Sequence, residues 1–170
     1  MKPLKLSIKK FSYRYAQIFS KLRRDIDNES EYVLGNKGER KENALHVIVR
    51  LLISQRRTVT FLAFDDDFVI GYVSLVFPRF SKMKGNTYLT ISVREAYRGK
   101  GVGSALMETA EKYAQAQGMR RIELEVFGKN KNAIALYAKR GYIVEGTKKD
   151  AVYNLGAFDD IIIMTKRISA

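Results

Sequence analysis

The fold is decided at residues 87–104, which read TYLTISVREAYRGKGVGS. In the first half, Leu89, Ile91 and Val93 alternate with polar residues and Tyr, and this period of two predicts a β-strand over Thr87 to Val93. The second half carries three glycines and leads into an apolar pattern of helical spacing that begins at Val102. Unpaired N–H groups at such a helix N-terminus favour an anion, so the stretch predicts a phosphate-binding turn.

Two nucleotide-binding motifs fit this turn poorly. A P-loop requires Gly-Lys followed by Ser or Thr, whereas Lys100 is followed by Gly101. A dinucleotide fingerprint requires Gly-x-Gly-x-x-Gly, but position 104 is Ser and the strand begins past the middle of the chain. Both motifs are disfavoured, and the turn alone leaves open whether it binds phosphate or only makes a tight corner.

The rest of the chain predicts a mixed order of strands and helices. The predicted strands are Leu4 to Lys9, Thr58 to Phe64, Phe68 to Phe77, Arg121 to Phe127, Tyr142 to Lys148 and Phe158 to Arg167. The predicted helices are Phe11 to Ile26, Arg40 to Ser54, Val102 to a stop at Gly118, and Lys131 to Arg140 with a stop at Gly141. The strand-helix-strand crossover at the centre indicates an α/β protein.

Composition limits the class of protein. The chain has 170 residues, of which 46% are hydrophobic and 29% charged, so we expect one globular domain over residues 1–170. It contains no cysteine, which excludes disulfides, thiolate metal sites and a thiol nucleophile. Met1 to Phe11 lacks the pattern of an export signal, and Ala44 to Ile53 is shorter than the ~20 apolar residues of a membrane span. These features predict a cytoplasmic protein without a membrane partner.

The formal net charge is +13, which would attract phosphates, nucleic acid or an anionic membrane. However, the 31 Lys and Arg are spread from Lys2 to Arg167 without a long run. A solvated basic surface is therefore favoured. A nucleic-acid- or ribosome-associated binding protein stays open as an alternative.

The glycine-rich turn resembles the acyl-CoA pyrophosphate loop of the GNAT superfamily of N-acetyltransferases, whose pattern Arg/Gln-x-x-Gly-x-Gly/Ala is met by Arg98, Gly101 and Gly103. A second signature of the superfamily is similar to a later stretch at the expected separation. Its matching residues are Leu124, Glu125, Val126, Asn130, Ala133, Ile134, Leu136, Tyr137, Lys139, Gly141 and Tyr142. Asp160 and Met164 resemble the Asp and Met of the family's terminal strand.

The resemblance covers about residues 58–168 well, and the part before them only in the order of its elements. It implies an α/β (α+β) fold: a twisted, mixed, mostly antiparallel sheet of about seven strands, flanked by about four helices. Strands 4 and 5, here Thr87 to Val93 and Arg121 to Phe127, are expected to splay apart. The thioester and pantetheine of acetyl-CoA would lie in the cleft between them.

The acetyl-CoA site that the resemblance implies is built mainly from backbone groups. Groups near Ile91 and Val93 pair with the pantetheine, and N–H groups from Arg98 to Gly103 hold the pyrophosphate. Lys100 either adds a charge contact or is an exposed loop cation. The implied cofactor-binding residues are Ile91, Ser92, Val93, Arg98, Gly99, Lys100, Gly101, Val102, Gly103, Ser104, Asn130, Ala133 and Tyr137. No metal is expected.

Acetyl transfer by direct attack in a ternary complex sets further requirements. An alkyl ammonium, with a reference pKa of about 10, must lose a proton, and the developing oxyanion needs a donor, which a backbone N–H at Val93 could supply. The CoA thiolate, with a thiol pKa of about 8.5, leaves more easily when an acid protonates it. The resemblance places Tyr137 in that role, and packing of the helix on the sheet is its alternative.

The general base is less secure. Glu125 projects from the opposite sheet face to its apolar neighbours and matches a glutamate that some members use as base, although such a side chain is often merely solvated. Ser92 could position a water instead. His46 is expected to pack in the core, and Asn130 is expected to cap the helix that follows it.

The acceptor amine is open, because family members select it with the N-terminal helices and the late connections, here about Ser20 to Lys41 and Lys148 to Phe158. The net charge of +13 disfavours a polycation, unless the acidic residues between Asp25 and Glu31 form a local patch. We expect a small primary amine or a peptide N-terminus, and a monomer or homodimer. A CoA-binding regulator without chemistry is a second alternative.

Overall fold

A computed structural model of the chain describes residues 3–53 and 57–168. The strands are β1 (Leu6–Lys10), β2 (Thr58–Asp65), β3 (Phe68–Val76), β4 (Asn86–Val93), β5 (Arg121–Phe127), β6 (Ile143–Asn154) and β7 (Ala157–Arg167). The helices are α1 (Ala16–Glu29), α2 (Ala44–Ile53), α3 (Val102–Ala116) and α4 (Lys131–Lys139). Short 3-10 turns lie at Tyr13–Tyr15, Ser81–Met83 and Glu95–Tyr97.

The strands form a single seven-stranded sheet in the order β1-β2-β3-β4-β5-β7-β6. Neighbouring strands are antiparallel except β4 and β5, which run parallel and are joined by α3. The expected mixed, mostly antiparallel sheet with four flanking helices is confirmed.

The parallel pair β4 and β5 separates after a short contact. The two strands are in register at Asn86↔Arg121, Thr87↔Ile122 and Tyr88↔Glu123, and the pairing ends there. Beyond this point β4 continues to Val93 and β5 to Phe127. The expected splay between strands 4 and 5 is therefore confirmed, and we call the wedge-shaped gap the fork.

Two apolar cores cover the two faces of the sheet. The larger lies under α3 and α4, and its most buried members include Leu75, Leu89, Leu106, Ile122 and Leu124. The smaller lies under α1 and α2. It contains Phe19, Leu22, Ile26, Val47, Leu62 and Phe64. The odd-numbered residues of β4 and the even-numbered residues of β5 thus face α3, whereas Thr90 and Glu125 point to the α1 and α2 side.

The boundaries of the early helices differ from the sequence-based expectation. A 3-10 turn precedes α1, which begins at Ala16 and runs on to Glu29. α2 begins at Ala44, because the side chain of Asn43 accepts the His46 N–H (3.1 Å) and so ends the preceding irregular segment. The predicted helix end at Ser54 lies outside the described residues.

The C-terminal hairpin is longer than predicted. β6 extends to Asn154 instead of Lys148, because its ladder with β7 resumes after an irregularity between Lys148 and Val152 and continues to the turn. Across residues 3–53 and 57–168, none of the helices combines the length and the apolarity that crossing a bilayer requires.

Candidate active site

The inner edge of β4 offers free backbone groups to the fork. Arg94 N–H donates to Ile70 O (2.9 Å), which places the residue pair 94 and 70 in a hydrogen-bonded position of the β3–β4 ladder. Because such positions alternate along an antiparallel pair, Val93 and Ile91 turn their N–H and C=O groups away from β3. Past Tyr88 these groups face the fork without a β5 partner.

Two arginines hold the end of β4 in place. The Nε of Arg98 donates to Val93 O (3.1 Å), so this carbonyl is satisfied while the Val93 N–H stays directed into the fork. Arg94 forms an ion pair with Glu29 (2.6 Å) and with Asp25 (3.3 Å). These contacts tie α1 to the fork.

The connection from β4 to α3 is a glycine-rich loop with an unusual backbone. Gly99 has a φ of +72° and Gly101 a φ of +82°, conformations that L side chains rarely adopt. A Cβ at either position would meet no atom within 4 Å, so the space in front of the loop is open. The Arg98 N–H donates to Glu95 O (3.1 Å) and is therefore not a free donor of this loop.

The N-terminus of α3 adds three more donors. Ala105 N–H makes the first intrahelical bond, to Gly101 O (3.0 Å), so the N–H groups of Val102, Gly103 and Ser104 have no partner within the helix. Within the described residues no side chain caps this terminus, and the first turn carries no acidic residue. Together with the helix dipole, these donors give the start of α3 a partial positive charge that favours an anion.

Two tyrosines lie near the point where β4 and β5 separate. Tyr137 on α4 is 7% exposed, and burial is the main cause that raises its pKa to about 12, with the nearby Tyr88 adding to the effect. Burial and then the charges of Glu125 and Glu123 raise the pKa of Tyr88 to about 12, although a hydrogen bond with the Glu125 backbone opposes this. Both phenols therefore stay protonated at neutral pH and can donate a hydrogen bond.

Glu125 lies on the face of the sheet opposite α4, as predicted. Its carboxylate forms an ion pair with Lys148 of β6, and both side chains remain partly exposed. Glu123, two residues earlier, lies opposite Tyr88, where the strands are still paired, and its carboxylate forms an ion pair with Arg121 (2.9 Å). Of these two glutamates, Glu125 is the one beside the splayed part of the strands.

The chain matches the model of the Acetyltransferase (GNAT) family over residues 18–142. It belongs to this family. The known structures agree: a GNAT acetyltransferase from Streptococcus pneumoniae has a TM-score of 0.88 and 26% identity, covering 97% of this chain and 100% of that one. A GNAT phosphinothricin acetyltransferase from Sinorhizobium meliloti, solved with acetyl-CoA, has a TM-score of 0.81 and 18% identity, covering 97% and 89%.

Curated GNAT relatives act on different acceptors. The ribosomal-protein-serine acetyltransferase of Escherichia coli is 30% identical over 65% of this chain and 61% of its own length. The L-amino acid N-acetyltransferase AaaT of Escherichia coli is 31% identical over 59% and 63%. The chain spans about half the length of the first curated relatives it matches.

Three other candidate site residues from the sequence lie on the elements around the fork. The side chain of Asn130 accepts the Ala133 N–H (3.2 Å), so the predicted cap of α4 is confirmed and that N–H is occupied. Ser92 lies on the α1 and α2 side of β4, partly buried. Lys100 is exposed, with its Nζ 5.3 Å from the centre of the Tyr97 ring.

The prediction that His46 packs in the core is wrong. His46 is exposed on α2, and its Nδ1 accepts the Asn43 N–H (3.3 Å), so it serves the helix N-terminus. The amphipathic pattern of α2 places Val47, and not its neighbour, against the sheet.

Three acidic residues of α1 form ion pairs with arginines from later in the chain. Asp27 pairs with Arg40, and Asp25 and Glu29 share the guanidinium of Arg94. The expected local acidic patch is therefore largely occupied by ion pairs within the protein.

Tyr88 is a residue of this site that the sequence analysis missed. It occupies the last paired position of β4, opposite Glu123, and the charges of Glu125 and Glu123 contribute to its raised pKa. In sequence it is one aromatic residue on the polar face of a strand, a pattern also typical of an exposed position. Only the register of β4 on β5 shows that it stands at the vertex.

The buried phenol of Tyr137 gives a pH dependence of stability. Below pH 10 the folded and unfolded forms of Tyr137 are both neutral; between pH 10 and 12 the unfolded form ionises first, so stability falls as pH rises. At pH 11 the wild type is expected to have lost about 1 kcal/mol more than Tyr137→Phe, relative to pH 9.5. Urea unfolding at both pH values measures this, and equal losses in the two proteins would contradict it.

Proposed function

We propose that this protein is an acetyl-CoA-dependent N-acetyltransferase that acetylates a primary amine by direct attack in a ternary complex. The observation that carries the proposal is the set of unpaired backbone donors, running from the fork edge at Ile91 and Val93 to the first turn of α3. Membership of the GNAT family supports the reaction class, and the acetyl-CoA complex of the Sinorhizobium meliloti enzyme supports the donor.

The residues present fit acetyl-CoA. Backbone groups at Ile91 and Val93 can pair with the amides of the pantetheine as a further strand would, since β5 does not occupy that edge. The N–H groups from Gly99 to Ser104 would hold the diphosphate, in a loop where the absence of two Cβ atoms keeps the approach open. When bound, acetyl-CoA supplies the acetyl group and a thiol leaving group.

The chain's own groups would then assist a balanced transfer. The nitrogen–carbon bond forms and the carbon–sulfur bond breaks; of the two protons that the ammonium loses, one reaches the sulfur and one reaches solvent. The Val93 N–H is the proposed donor to the carbonyl oxygen, because Arg98 and β3 leave it free. Glu125 is the proposed base, since it lies beside the splayed strands.

Tyr137 is the proposed partner of the leaving sulfur. Its pKa of about 12 lies well above the ~8.5 of a thiol, so full proton transfer to a thiolate is uphill in the free protein. Its stabilising action is therefore a hydrogen bond donated to the sulfur as charge develops. The Tyr88 phenol, also protonated, adds no negative charge of its own.

A charge at the start of α3 tests the diphosphate site. Ser104→Glu places a carboxylate in the first helical turn, where it stabilises the helix by ~0.3–1 kcal/mol but repels a diphosphate. We expect acetyl-CoA to bind at least tenfold more weakly by calorimetry while thermal stability rises or stays equal. Gln117→Glu adds the same charge at the other end of α3 and should leave affinity within twofold. Equal affinities in both variants would contradict the site.

Removal of the Tyr137 hydroxyl tests the proposed sulfur partner. We expect Tyr137→Phe to lower kcat by about tenfold to a hundredfold, equally at pH 7 and pH 9, while the Kd of acetyl-CoA stays unchanged. Tyr142→Phe is the matched control, because its ring lies 6.1 Å from that of Tyr137 but its hydroxyl faces Glu111. A normal kcat in Tyr137→Phe would mean that Tyr137 is only a packing residue. If the wild type binds acetyl-CoA but shows no turnover, a CoA-binding regulator is favoured instead.

Neutralisation of Glu125 tests the proposed base. Glu125→Gln should lower kcat/KM at pH 7 by at least tenfold, because the ammonium would lose its proton acceptor. Glu123→Gln makes the same change on the same face, in the paired part of the strands. Its kcat/KM should stay within threefold of the wild-type value. If both variants keep wild-type rates, the amine loses its proton to another group, such as a water held by Ser92.

A further inference from the structure

We infer that the acceptor is a small primary amine that also carries a carboxylate, the amino acids being the simplest members of this class, and that Arg23 and Arg50 bind this carboxylate. The inference deepens the proposed function and rests on it. It is carried by a cavity beside the fork and by the arginines that line it.

The cavity lies between the sheet and the helices α1 and α2, on the side away from α3. Its volume is about 210 Å³, below the ~300–1,000 Å³ of pockets for drug-sized ligands, so it fits a small molecule. Thr90 of β4 lines one side, next to the backbone edge at Ile91. The cavity therefore reaches the face of the fork from which an acceptor can approach a thioester held at that edge.

The floor of the cavity is polar and its walls are apolar. Thr60 and Ser74 share a buried hydroxyl–hydroxyl hydrogen bond of 2.7 Å on the floor. Phe19 of α1, Val47 of α2 and Val76 of β3 supply apolar wall. The cavity can thus accept an uncharged side chain beside a charged group.

Positive charge is in excess among the arginines and carboxylates beside the cavity. Glu42 is buried and forms ion pairs with Arg23 (2.9 Å), with Arg40 (3.7 Å) and with Arg50. Arg40 also pairs with Asp27, so three guanidinium groups face two carboxylates in this cluster. One positive charge remains uncompensated among these residues.

The hydrogen-bonding capacity of Arg23 is also incompletely used. Its Nε is buried and has no hydrogen-bond partner among the described residues, and its side chain is only 17% exposed. Burial is the main cause that lowers the pKa of Arg23, as expected for a guanidinium group held away from water. A planar guanidinium binds a carboxylate through two parallel hydrogen bonds, so a bound carboxylate would satisfy both the charge and the free donor.

A polycationic acceptor is disfavoured by the same arrangement. The carboxylates of Asp25, Asp27 and Glu29 that could form an acidic wall are paired with arginines. The cavity itself presents Arg23 and Arg50 against Glu42 alone. A polyamine would meet net positive charge there, whereas an amino acid can place its carboxylate at the arginines and its amine toward Thr90.

Steady-state kinetics with matched acceptors test the inference. The probes are the twenty standard L-amino acids, their amides, their decarboxylated amines and spermidine, with acetyl-CoA as donor. The amides lack the negative charge, and their amines are less basic than those of the acids. More of each amide is therefore in the free-amine form at neutral pH, so a preference for the acid cannot come from amine basicity. For the best amino acid we expect kcat/KM at least tenfold above that of its amide.

Arg50→Gln is the main variant, because the Arg50 side chain is half exposed and its loss threatens the fold less than loss of Arg23. It should lower kcat/KM for the amino acid by about tenfold and leave the amide within twofold. Arg23→Lys keeps the charge but removes the planar guanidinium group. It should also lower kcat/KM for the amino acid. The matched control Arg79→Gln removes an exposed arginine outside the cavity and should change neither acceptor.

The outcomes separate this inference from the proposed function. Turnover of spermidine or decarboxylated amines at rates equal to the amino acids, or a carboxylate preference that survives in Arg50→Gln, would overturn the inference and leave the acetyltransferase intact. Absence of turnover with every probe would refute the proposed function instead. In that case, binding of N-acetyl-L-amino acids, measured as a rise in Tm that Arg50→Gln abolishes, decides the carboxylate site; no rise in Tm would overturn it.

Discussion

The structure depends on the early end of the pairing between β4 and β5. A sheet normally satisfies its backbone groups by extending each ladder, and buried N–H and C=O groups without partners are rare. Here the ladder stops after Tyr88↔Glu123, although both strands continue. This leaves a free backbone edge inside the seven-stranded sheet, and the proposed binding of acetyl-CoA follows from it.

Side-chain contacts hold the outer end of the fork. Tyr88 stands at the vertex, as the last residue of β4 that pairs with β5. At the opposite end, the Arg98 side chain donates to Val93 O. Arg94 joins this end of β4 to α1 through ion pairs with Glu29 and Asp25. An edge tied in this way can stay unpaired without collapsing onto β5.

Local patterns in the sequence were sufficient for most of the elements and for the donor loop. Period-two runs identified β2 to β5, and the glycines at 99, 101 and 118 marked the turns where a positive φ is required. Contacts between distant residues were not accessible in this way. The pairs Arg94–Glu29, Arg40–Asp27 and Arg140–Glu111 join residues 13 to 65 positions apart, and no local pattern predicts such pairs. The same limit applies to Tyr88, because its place at the vertex depends on the register of β4 on β5. The outward position of His46, by contrast, follows from the amphipathic pattern of α2.

The donor part and the acceptor part of the site place different requirements on the sequence. The proposed donor part relies on backbone N–H groups, which every residue except proline carries, so only glycines and a helix start are needed and a short motif reveals them. The proposed acceptor part relies on side chains from α1, the connection before α2, and α2, which Glu42 brings together through ion pairs. A net charge of +13 says little about such a site, because the charge that matters is the difference between three guanidiniums and two carboxylates inside one cluster. Selectivity for the acceptor must therefore be read from local charge balance, which only the folded arrangement provides.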